Sequence, residues 1–479
     1  MVEKAFTSHD DTPIREIVRR HRAPLAVIVA VFAASRIAAY AAGIRLDPDP
    51  LTWYWQYVEP ALLKERLLES LFYLHSQPPL FNLFLGLTVK AFPASYDTAL
   101  QVAFIAMGLV STLAFYVLLT QLGLPRIART VITVVLCVSP AVLLYENWLF
   151  YEYPTLMVLL LASIALHRFL ARDSVAAGTA FFALAAALIY LRSVFQFVWL
   201  LAVVVALIVA KPRRLVLSCA AIPLGFVLFL YAKNFALFGT TATSSWLGMN
   251  VARVTVSQLE PDERRELVTA GTLHSVSLVR PFSEPAAYTN LIASPAPQGI
   301  PVLDRQVKEG GEANFNAWIY LQVSRDYLAD ALWVVRNRPD TYRSAVDQAV
   351  ALLFSSSTDL DFVTANRQRI ETYDRIVGDY VYGYTSSWRR IGVGVIAAYL
   401  FALGYGGAIV GQILWQRRST GPGSLTVLFL VLTCAYIGVV TSLTDLGENQ
   451  RMRFFLDWPI VATVAAGVHH LFTPRRSRR

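Results

Sequence analysis

Charged residues are scarce in this chain of 479 residues, at 16%, while hydrophobic residues make up 56%. A soluble protein of this length carries far more lysine, glutamate and aspartate, so the composition excludes an ordinary soluble fold. The apolar residues gather into runs of roughly 17 to 24 residues, the length of a helix that crosses a hydrocarbon core. We therefore predict an all-α polytopic membrane protein. Because the N-terminus is polar and no small-residue cleavage motif follows the first run, we expect no cleavable signal peptide.

Cysteine is scarce as well: Cys137, Cys219 and Cys434 each lie inside an apolar run. Their spacing fits neither a disulfide framework nor a zinc site, so we interpret them as core-filling residues. The sequence also lacks the P-loop, HExxH and GxSxG motifs. The net charge of +9 is explained by arginines in short loops, as membrane topology requires, so we expect no nucleic-acid partner.

The apolar runs predict about ten transmembrane helices, and one further stretch needs a decision. The stretch Pro78 to Phe92 would make an eleventh span, but it is short and contains Lys90. If it does not cross, the arginine-rich loops all fall on one side, as the positive-inside rule requires. We therefore predict an amphipathic helix at the outer membrane surface. The ten predicted spans are 23–44, 98–120, 130–145, 154–170, 176–191, 194–210, 215–232, 391–414, 425–442 and 455–471.

This topology divides the chain into five segments. Both chain ends are expected in the cytoplasm of a bacterial cell, and the unusual polar residues face the periplasm or exterior. The expected segments are a cytoplasmic N-terminal segment 1–22, a catalytic membrane module 23–232 with the outer loop 45–97, a long outer region 233–390 with amphipathic helices, C-terminal membrane helices 391–472 and a basic cytoplasmic tail 473–479.

Two carboxylates follow the first predicted span in "RLDPDP". Asp47 and Asp49 alternate with prolines, which hold the preceding residues extended, so both are presented on a stiff loop at the membrane surface. They could act as a general base or bind a divalent cation such as Mg²⁺ or Mn²⁺. The alternative is a solvated acidic turn, with the following "WYW" anchoring the loop at the interface.

Four arginines lie within a predicted span or towards the predicted outer side, where the positive-inside rule does not account for them. Arg36 lies inside the first span, where a charge costs about 2.5–3.5 kcal/mol on insertion scales, so it faces a cavity or partner unless it snorkels. Arg192 stands at an outer helix end, where snorkelling is easy. Arg451 and Arg453 lie on the outer side, against the charge bias. A bound phosphate explains such arginines, and ion pairs with the neighbouring acidic residues are the alternative.

The segment "YENWLFYEYP" combines carboxylates with aromatic rings. Glu146, Glu152 and Tyr145 suit recognition of sugar hydroxyls, although the aromatics could equally form an interfacial belt. Trp246, in a hydroxyl-rich stretch of the long outer region, is a further candidate for sugar or acceptor binding. The last candidates, His75 and Gln77, precede the two prolines of the predicted surface helix.

Taken in order, these motifs resemble the integral-membrane glycosyltransferases of the GT-C class, near the protein O-mannosyltransferases and aminoarabinose transferases. The resemblance rests on the acidic loop after the first span, on "HSQPPLFN", on "SPAVLLYENW" and on "GENQRMRFFLDWP". It covers the first half of the chain and, more loosely, its C-terminal end. Many members carry an Asp-Glu pair where this chain has Asp-Pro-Asp, which leaves the choice between Asp47 and Asp49 open.

The resemblance implies a reaction. A sugar on polyprenyl phosphate would be transferred to a hydroxyl of a glycan, lipid or protein. One base and direct attack predict inversion at the anomeric carbon. Asp47, or else Asp49, would be the base. Arg451, Arg453, Arg36 and Arg192 would bind the phosphate, and the sugar or acceptor would contact the remaining candidates named above. The sugar stays open between hexoses such as mannose and a pentose such as arabinose.

Two other functions remain open at this point. A lipid-linked oligosaccharide polymerase or ligase would share the donor lipid and the long outer loop, but it would transfer a whole glycan. A transporter or flippase would be expected to show paired repeats and polar groups at mid-membrane depth. Here the polar groups collect on one face and no repeat is visible, which favours the single-sugar transferase.

Overall fold

The computed structural model describes residue 16 and residues 19–293, 295–384, 391–416 and 421–472. The predicted basic tail 473–479 and most of the segment 1–22 lie outside the described residues. Within these ranges the chain is helical and has three isolated β-bridges but no strand, so the predicted all-α architecture is confirmed.

The helices are numbered in chain order. Those of the first half are α1 (Arg22–Ala41), α2 (Pro50–Trp53), α3 (Pro60–Glu65), α4 (Leu67–Phe72), α5 (Leu80–Ala91), α6 (Tyr96–Gln121), α7 (Arg126–Val138), α8 (Pro140–Glu146), α9 (Glu152–Arg172), α10 (Val175–Leu191), α11 (Phe197–Ala210) and α12 (Arg213–Phe238). Those of the second half are α13 (Leu247–Val254), α14 (Pro261–Thr269), α15 (Pro301–Asp304), α16 (Ile319–Asn337), α17 (Pro339–Leu353), α18 (Thr364–Gln368), α19 (Glu371–Val377), α20 (Val393–Gln416), α21 (Pro422–Thr444) and α22 (Gln450–Phe472).

Seven of the described helices are long and apolar enough to cross a membrane, as in a polytopic membrane protein: α1, α6, α9, α12, α20, α21 and α22. Helices α7 and α8 would add an eighth span if they count as one, but they are bent by 54° at their junction. The bend falls at Pro140, which lacks the N–H that a continuous helix needs and holds Ser139 extended. Helices α10 and α11, with 17 and 14 residues, are shorter than a typical span, so the predicted count of ten is not established.

The stretch predicted as a surface helix forms the helix α5 directly after the two prolines, and its place at the membrane surface stays a prediction. It is tied to the connection after α1 by Asn82, whose side chain accepts from the backbone N–H of Val58 at 2.8 Å and donates to the carbonyl of Gln56 at 2.9 Å. This pair of bonds replaces the backbone partners of an irregular segment. It thereby fixes the first connection against α5.

The long connections before α6 and between α12 and α20 meet at one end of the bundle, which we call the loop end. The second of them has its own hydrophobic cluster, in which α13 packs against α16. The two helices touch backbone to backbone at Gly248, where an added Cβ would lie 1.7 Å from the carbonyl oxygen of Ser324. Only glycine fits this contact. The close approach brings Trp246 and Arg325 to the same wall of the cavity described below.

Candidate functional site

The loop end encloses a cavity of about 630 Å³. Its lower wall consists of the ends of α10, α12, α21 and α22, and its upper wall consists of α13 and α16 together with the connection after α1. The volume lies in the range of small-molecule sites, and the wall combines aromatic rings with charged and amide side chains. The cavity is therefore the candidate site.

Two arginines of the lower wall share one buried carboxylate. Arg192 directly follows α10, and its Nη1 lies 2.6 Å from Oε1 of Glu152. Nε of Arg451, near the start of α22, lies 3.5 Å from the same oxygen. Nη1 of Arg451 also lies 2.7 Å from Oε2 of Glu448. A cation in the first turn of a helix opposes the helix dipole, and these two carboxylates offset that cost.

Aromatic rings hold the two guanidinium groups from other sides. The guanidinium carbon of Arg192 lies 4.9 Å from the ring centre of Tyr151 and 5.0 Å from that of Phe455, and Arg451 lies 5.3 Å from Phe150. Such cation–π contacts strengthen when water is excluded. Burial raises the pKa of Tyr151 to about 12, so its hydroxyl stays protonated at neutral pH. The pair thus places two guanidinium groups on the cavity wall, with Glu152 and Glu448 as their counter-charges.

Two further arginines line the cavity. Nη1 of Arg253, on α13, lies 3.1 Å from Oδ1 of Asp445. Arg325, on α16, donates from Nη2 to the carbonyl of Phe238 at 2.7 Å, and no carboxylate pairs with it among the described residues. Among the described residues this site therefore contains four arginines and three carboxylates, namely Glu152, Asp445 and Glu448. One positive charge is left in excess. Such a site favours an anionic ligand.

The three aromatic residues of the "WYW" run, Trp53 to Trp55, all line the cavity. The sequence alone suggests an interfacial anchor for this run only as one of two alternatives for the acidic loop. The carbonyl of Tyr54 accepts from Nζ of Lys308 at 2.7 Å, and burial lowers the pKa of that lysine to about 8. A buried lysine placed against a carbonyl fixes the backbone of the run. The run of three consecutive large aromatic residues was the sequence signal that could have identified this part of the site.

Comparison of the chain with protein-family models, with curated proteins and with solved structures found no match.

Four predicted site residues line the cavity: Gln77, Arg192, Trp246 and Arg451. A fifth, Glu152, lies behind the wall and contacts both arginines. These five come from five separate stretches of sequence, and the fold brings them together.

The two predicted catalytic carboxylates lie elsewhere. Asp47 and Asp49 are exposed and do not line the cavity. Oδ1 of Asp47 accepts from the backbone N–H of Asp49 at 3.0 Å, and the backbone of Asp47 forms a bridge with Trp148. Within the described residues no group of three or more His, Cys, Asp or Glu side chains could hold a metal ion. A role for this loop with Mg²⁺ or Mn²⁺ stays a prediction.

Arg36 is engaged inside the bundle rather than at the cavity. Its Nε and Nη2 donate to the two carboxylate oxygens of Glu146 at 2.9 and 2.7 Å, and its Nη1 donates to the carbonyl of Cys137 at 2.7 Å. The hydroxyl of Tyr153 donates to the same carboxylate at 2.6 Å. Of the two readings of Arg36, the structure shows a partner rather than snorkelling. Arg36 and Glu146 satisfy each other and do not line the cavity.

Arg453 is likewise occupied by internal partners. It is fully buried and donates to the carbonyl of Ser355 at 2.6 Å, to the hydroxyl of Tyr384 at 2.9 Å and to Oδ2 of Asp457 at 3.1 Å. The ion-pair interpretation therefore applies to Arg453, with Asp457 as the acid, and also to Arg451, whose Nη1 lies 2.7 Å from Oε2 of Glu448. Tyr145 is also internal: its hydroxyl donates to the carbonyl of Ser357 at 2.8 Å.

His75 lies behind the cavity wall and connects two stretches of chain. Its Nδ1 is 2.7 Å from Oγ of Ser245, and its carbonyl accepts from the backbone N–H of the same serine at 2.8 Å. Its backbone N–H donates to the side chain of Asn316 at 2.8 Å. Burial lowers the pKa of His75 to about 3, so the ring is neutral at ordinary pH. His75 therefore positions the segment that carries Gln77, two residues later, to the cavity.

Proposed function

We propose that this chain is a membrane glycosyltransferase that moves a single sugar from a polyprenyl-phosphate donor to an acceptor hydroxyl. In this proposal the membrane is a bacterial inner membrane, both chain ends are cytoplasmic, and the loop end faces outward. The observation that supports it most is the pair Arg192 and Arg451, held together by Glu152 on the wall of a cavity at the ends of apolar helices. Planar guanidinium groups match phosphate oxygens, and their position suits a phosphate whose lipid tail lies between helices.

The charge at the cavity supports a monophosphate-linked donor. A sugar joined to a lipid through one phosphate is a phosphodiester with a single negative charge, which matches the one excess positive charge of the described residues. A diphosphate-linked glycan, the donor expected of a polymerase or ligase, carries more negative charge than this wall balances. The phosphate gains charge as it leaves, so the arginines would bind the transition state more tightly than the donor.

The carboxylates that line the cavity are better placed to act as the general base than those of the first connection. A general base must come within hydrogen-bond reach of the proton it removes, and the carboxylates that line the cavity are Asp445 and Glu448. Glu448 is bound to Arg451, on the phosphate side. Asp445, three residues earlier in the connection after α21, pairs instead with Arg253 of α13 and so does not share a partner with the phosphate-binding arginines. We therefore propose Asp445 as the base in place of Asp47 or Asp49.

The proposed reaction is a single displacement. The acceptor oxygen attacks the anomeric carbon as its proton passes to the carboxylate of Asp445. The bond between that carbon and the phosphate oxygen breaks, and its electron pair leaves with polyprenyl phosphate beside Arg192 and Arg451. One new glycosidic bond forms with inversion at the anomeric carbon, and the proton on Asp445 is later released to solvent.

The test is turnover of radiolabelled polyprenyl-phosphate mannose and arabinose by the purified protein in detergent. Wild type is compared with Arg451→Gln, Asp445→Asn and Asp47→Asn, and with Arg336→Gln as a matched control, since Arg336 is an exposed arginine of α16 away from the cavity. We expect losses of about 10²-fold or more in the first two variants and no loss in the control.

The variants separate the possible outcomes. Loss in Asp47→Asn with full activity in Asp445→Asn would return the base to the first connection. Full activity in Arg451→Gln would contradict the phosphate site. If wild type consumes neither donor, with water, saccharides and peptides supplied as acceptors, the transferase proposal is wrong.

A further inference from the structure

The upper wall of the cavity carries a cluster of aromatic rings that the phosphate site does not use. The rings of Trp55 and Phe282 are stacked, with centres 5.5 Å apart and an angle of 11° between their planes. Trp246 meets Phe282 edge to face, with centres 5.2 Å apart. All three line the cavity, and Trp55 keeps 40% of its surface exposed. A large exposed ring that borders a cavity offers a flat apolar surface to a ligand.

The backbone at this cluster is strained. Phe282 has a φ of +63°, in the left-handed region that a bulky side chain rarely adopts. Its ring is held between Trp55 and Trp246, and these contacts oppose relaxation of the backbone. Strain of this kind collects at binding and catalytic sites, where it keeps a side chain in a position it would not otherwise take.

A buried acceptor without a donor lies next to the cluster. Gln56, the neighbour of Trp55 in sequence, lines the cavity and is 8% exposed. Its Oε1 receives no hydrogen bond from any described residue. A buried amide oxygen without a donor destabilises the fold, so such groups usually meet a ligand or water. Asn250, on α13, lines the cavity as well and adds amide donors.

We propose that this wall is a saccharide-binding subsite for the acceptor, built on Trp55, Trp246 and Phe282 with Gln56 as a hydroxyl acceptor. The negative face of an aromatic ring attracts the C–H groups of a pyranose or furanose ring, and the amide accepts from its hydroxyl groups. The acceptor of the proposed transfer is then a glycan rather than a protein or lipid hydroxyl. This identification of the acceptor rests on the proposed function, whereas the binding site itself does not.

The position of the subsite agrees with the proposed base. Trp246 immediately precedes α13, and Arg253 on the same helix pairs with Asp445. A saccharide on the rings would therefore lie at the start of the helix whose end holds Asp445. The donor phosphate would lie at Arg192 and Arg451, on the helix ends that form the lower wall.

Binding of plain saccharides is the first test, because it needs no turnover. Tetrasaccharides of mannose, glucose, galactose and arabinose are titrated by calorimetry into the purified full-length protein. We expect at least one to bind, with affinity reduced about tenfold or more in Trp55→Ala and in Trp246→Ala. Trp415→Ala is the matched control, because Trp415 is an exposed tryptophan of α20 away from the cavity. Binding by none of the four, or equal affinity in all variants, would overturn the proposal.

The strained residue gives a variant that separates binding from folding. Phe282→Gly removes the ring and also removes the steric cost of a positive φ. We expect it to lose saccharide affinity while it keeps a melting temperature close to that of wild type. A large fall in melting temperature with unchanged affinity would assign the ring to packing alone and overturn its part in the subsite.

A donor analogue distinguishes the acceptor site from a site for the donor's own sugar. The analogue is a farnesyl phosphonate of mannose in which carbon replaces the glycosidic oxygen, so that no transfer can occur. If the saccharide binds equally well with the analogue at saturation, the rings form an acceptor site. If the analogue displaces it, the rings bind the donor sugar and the proposal is overturned. Hydrolysis of the labelled donor, with water as the acceptor, is measured separately and reports on the proposed function alone.

Discussion

Oε1 of Glu152 lies 2.6 Å from Nη1 of Arg192, and both side chains are almost completely buried. The carboxylate stands in the first turn of α9, where the helix dipole favours a negative charge, and the guanidinium stands just beyond the end of α10. One ion pair therefore joins the ends of two neighbouring helices at the cavity wall, and the proposed phosphate site depends on its integrity.

Removal of the Glu152 charge should destabilise the protein strongly. In Glu152→Gln two buried guanidinium groups lose a shared partner, and breaking a buried pair in this way costs about 3–5 kcal/mol. The double variant Glu152→Gln with Arg192→Gln should lose less stability than the sum of the singles, because it removes the unpaired charge together with its partner. Thermal unfolding in detergent measures this. Glu69→Gln, which breaks an exposed pair with Arg66, is the control and should change little. Additive losses would contradict the coupling.

A single glycine should control the buried pair of Arg36 and Glu146. A Cβ on Gly108, in α6, would lie 2.3 Å from Oε2 of Glu146 and 2.5 Å from the hydroxyl of Tyr153. Gly108→Ala should therefore displace the carboxylate and lower stability by about 1–3 kcal/mol. Gly225→Ala, in α12, is the matched control, because no atom lies within 4 Å of its added Cβ. Melting temperatures of the two variants in detergent make the comparison, and equal values would refute the contact.

His75 should make the protein sensitive to acid. The pKa of its ring is lowered to about 3 in the fold, while an unfolded histidine titrates near 6.5. Between these values the unfolded state binds the extra proton, so the stability that is present above pH 6.5 declines as the pH falls toward 3. At pH 5 the expected loss is roughly 2 kcal/mol relative to neutral pH. Melting temperatures between pH 5 and 7.5 should fall less steeply in His75→Asn than in wild type. Parallel curves would remove His75 as the cause.

Arg325 should contribute to anion binding without a large effect on stability. It is an exposed arginine that lines the cavity, and among the described residues no carboxylate neutralises it. Arg325→Gln should weaken the binding of farnesyl phosphate about three- to tenfold at low salt, and the difference should shrink as salt screens the charge. Arg336→Gln, on the same helix, is the control. Identical salt dependence in the two variants would show that Arg325 does not meet the phosphate.

Periodicity and composition were sufficient to predict much of this molecule. Apolar runs predicted each of the long helices, and the two prolines predicted the start of α5, because both signals are local along the chain. The predicted span 130–145 corresponds to α7 and α8, which a bend at Pro140 divides and which count as one span only if the bent pair crosses as a unit. Among the site residues, Arg192, Arg451, Gln77 and Trp246 were anticipated and do line the cavity.

The tertiary structure alone decided which charges are available. Arg36, Arg451 and Arg453 share one sequence signal, an arginine where topology disfavours one, and all three have acidic partners, but of the three Arg451 lines the cavity. Asp47 and Asp49 looked more reactive in sequence than Asp445, but Asp445 lines the cavity. The hydrophobicity of a segment determines whether it leaves water, since the free energy of transfer is summed over residues that are neighbours in sequence. It does not fix which side chains meet, because a partner more than a hundred residues away is chosen only when the helices pack.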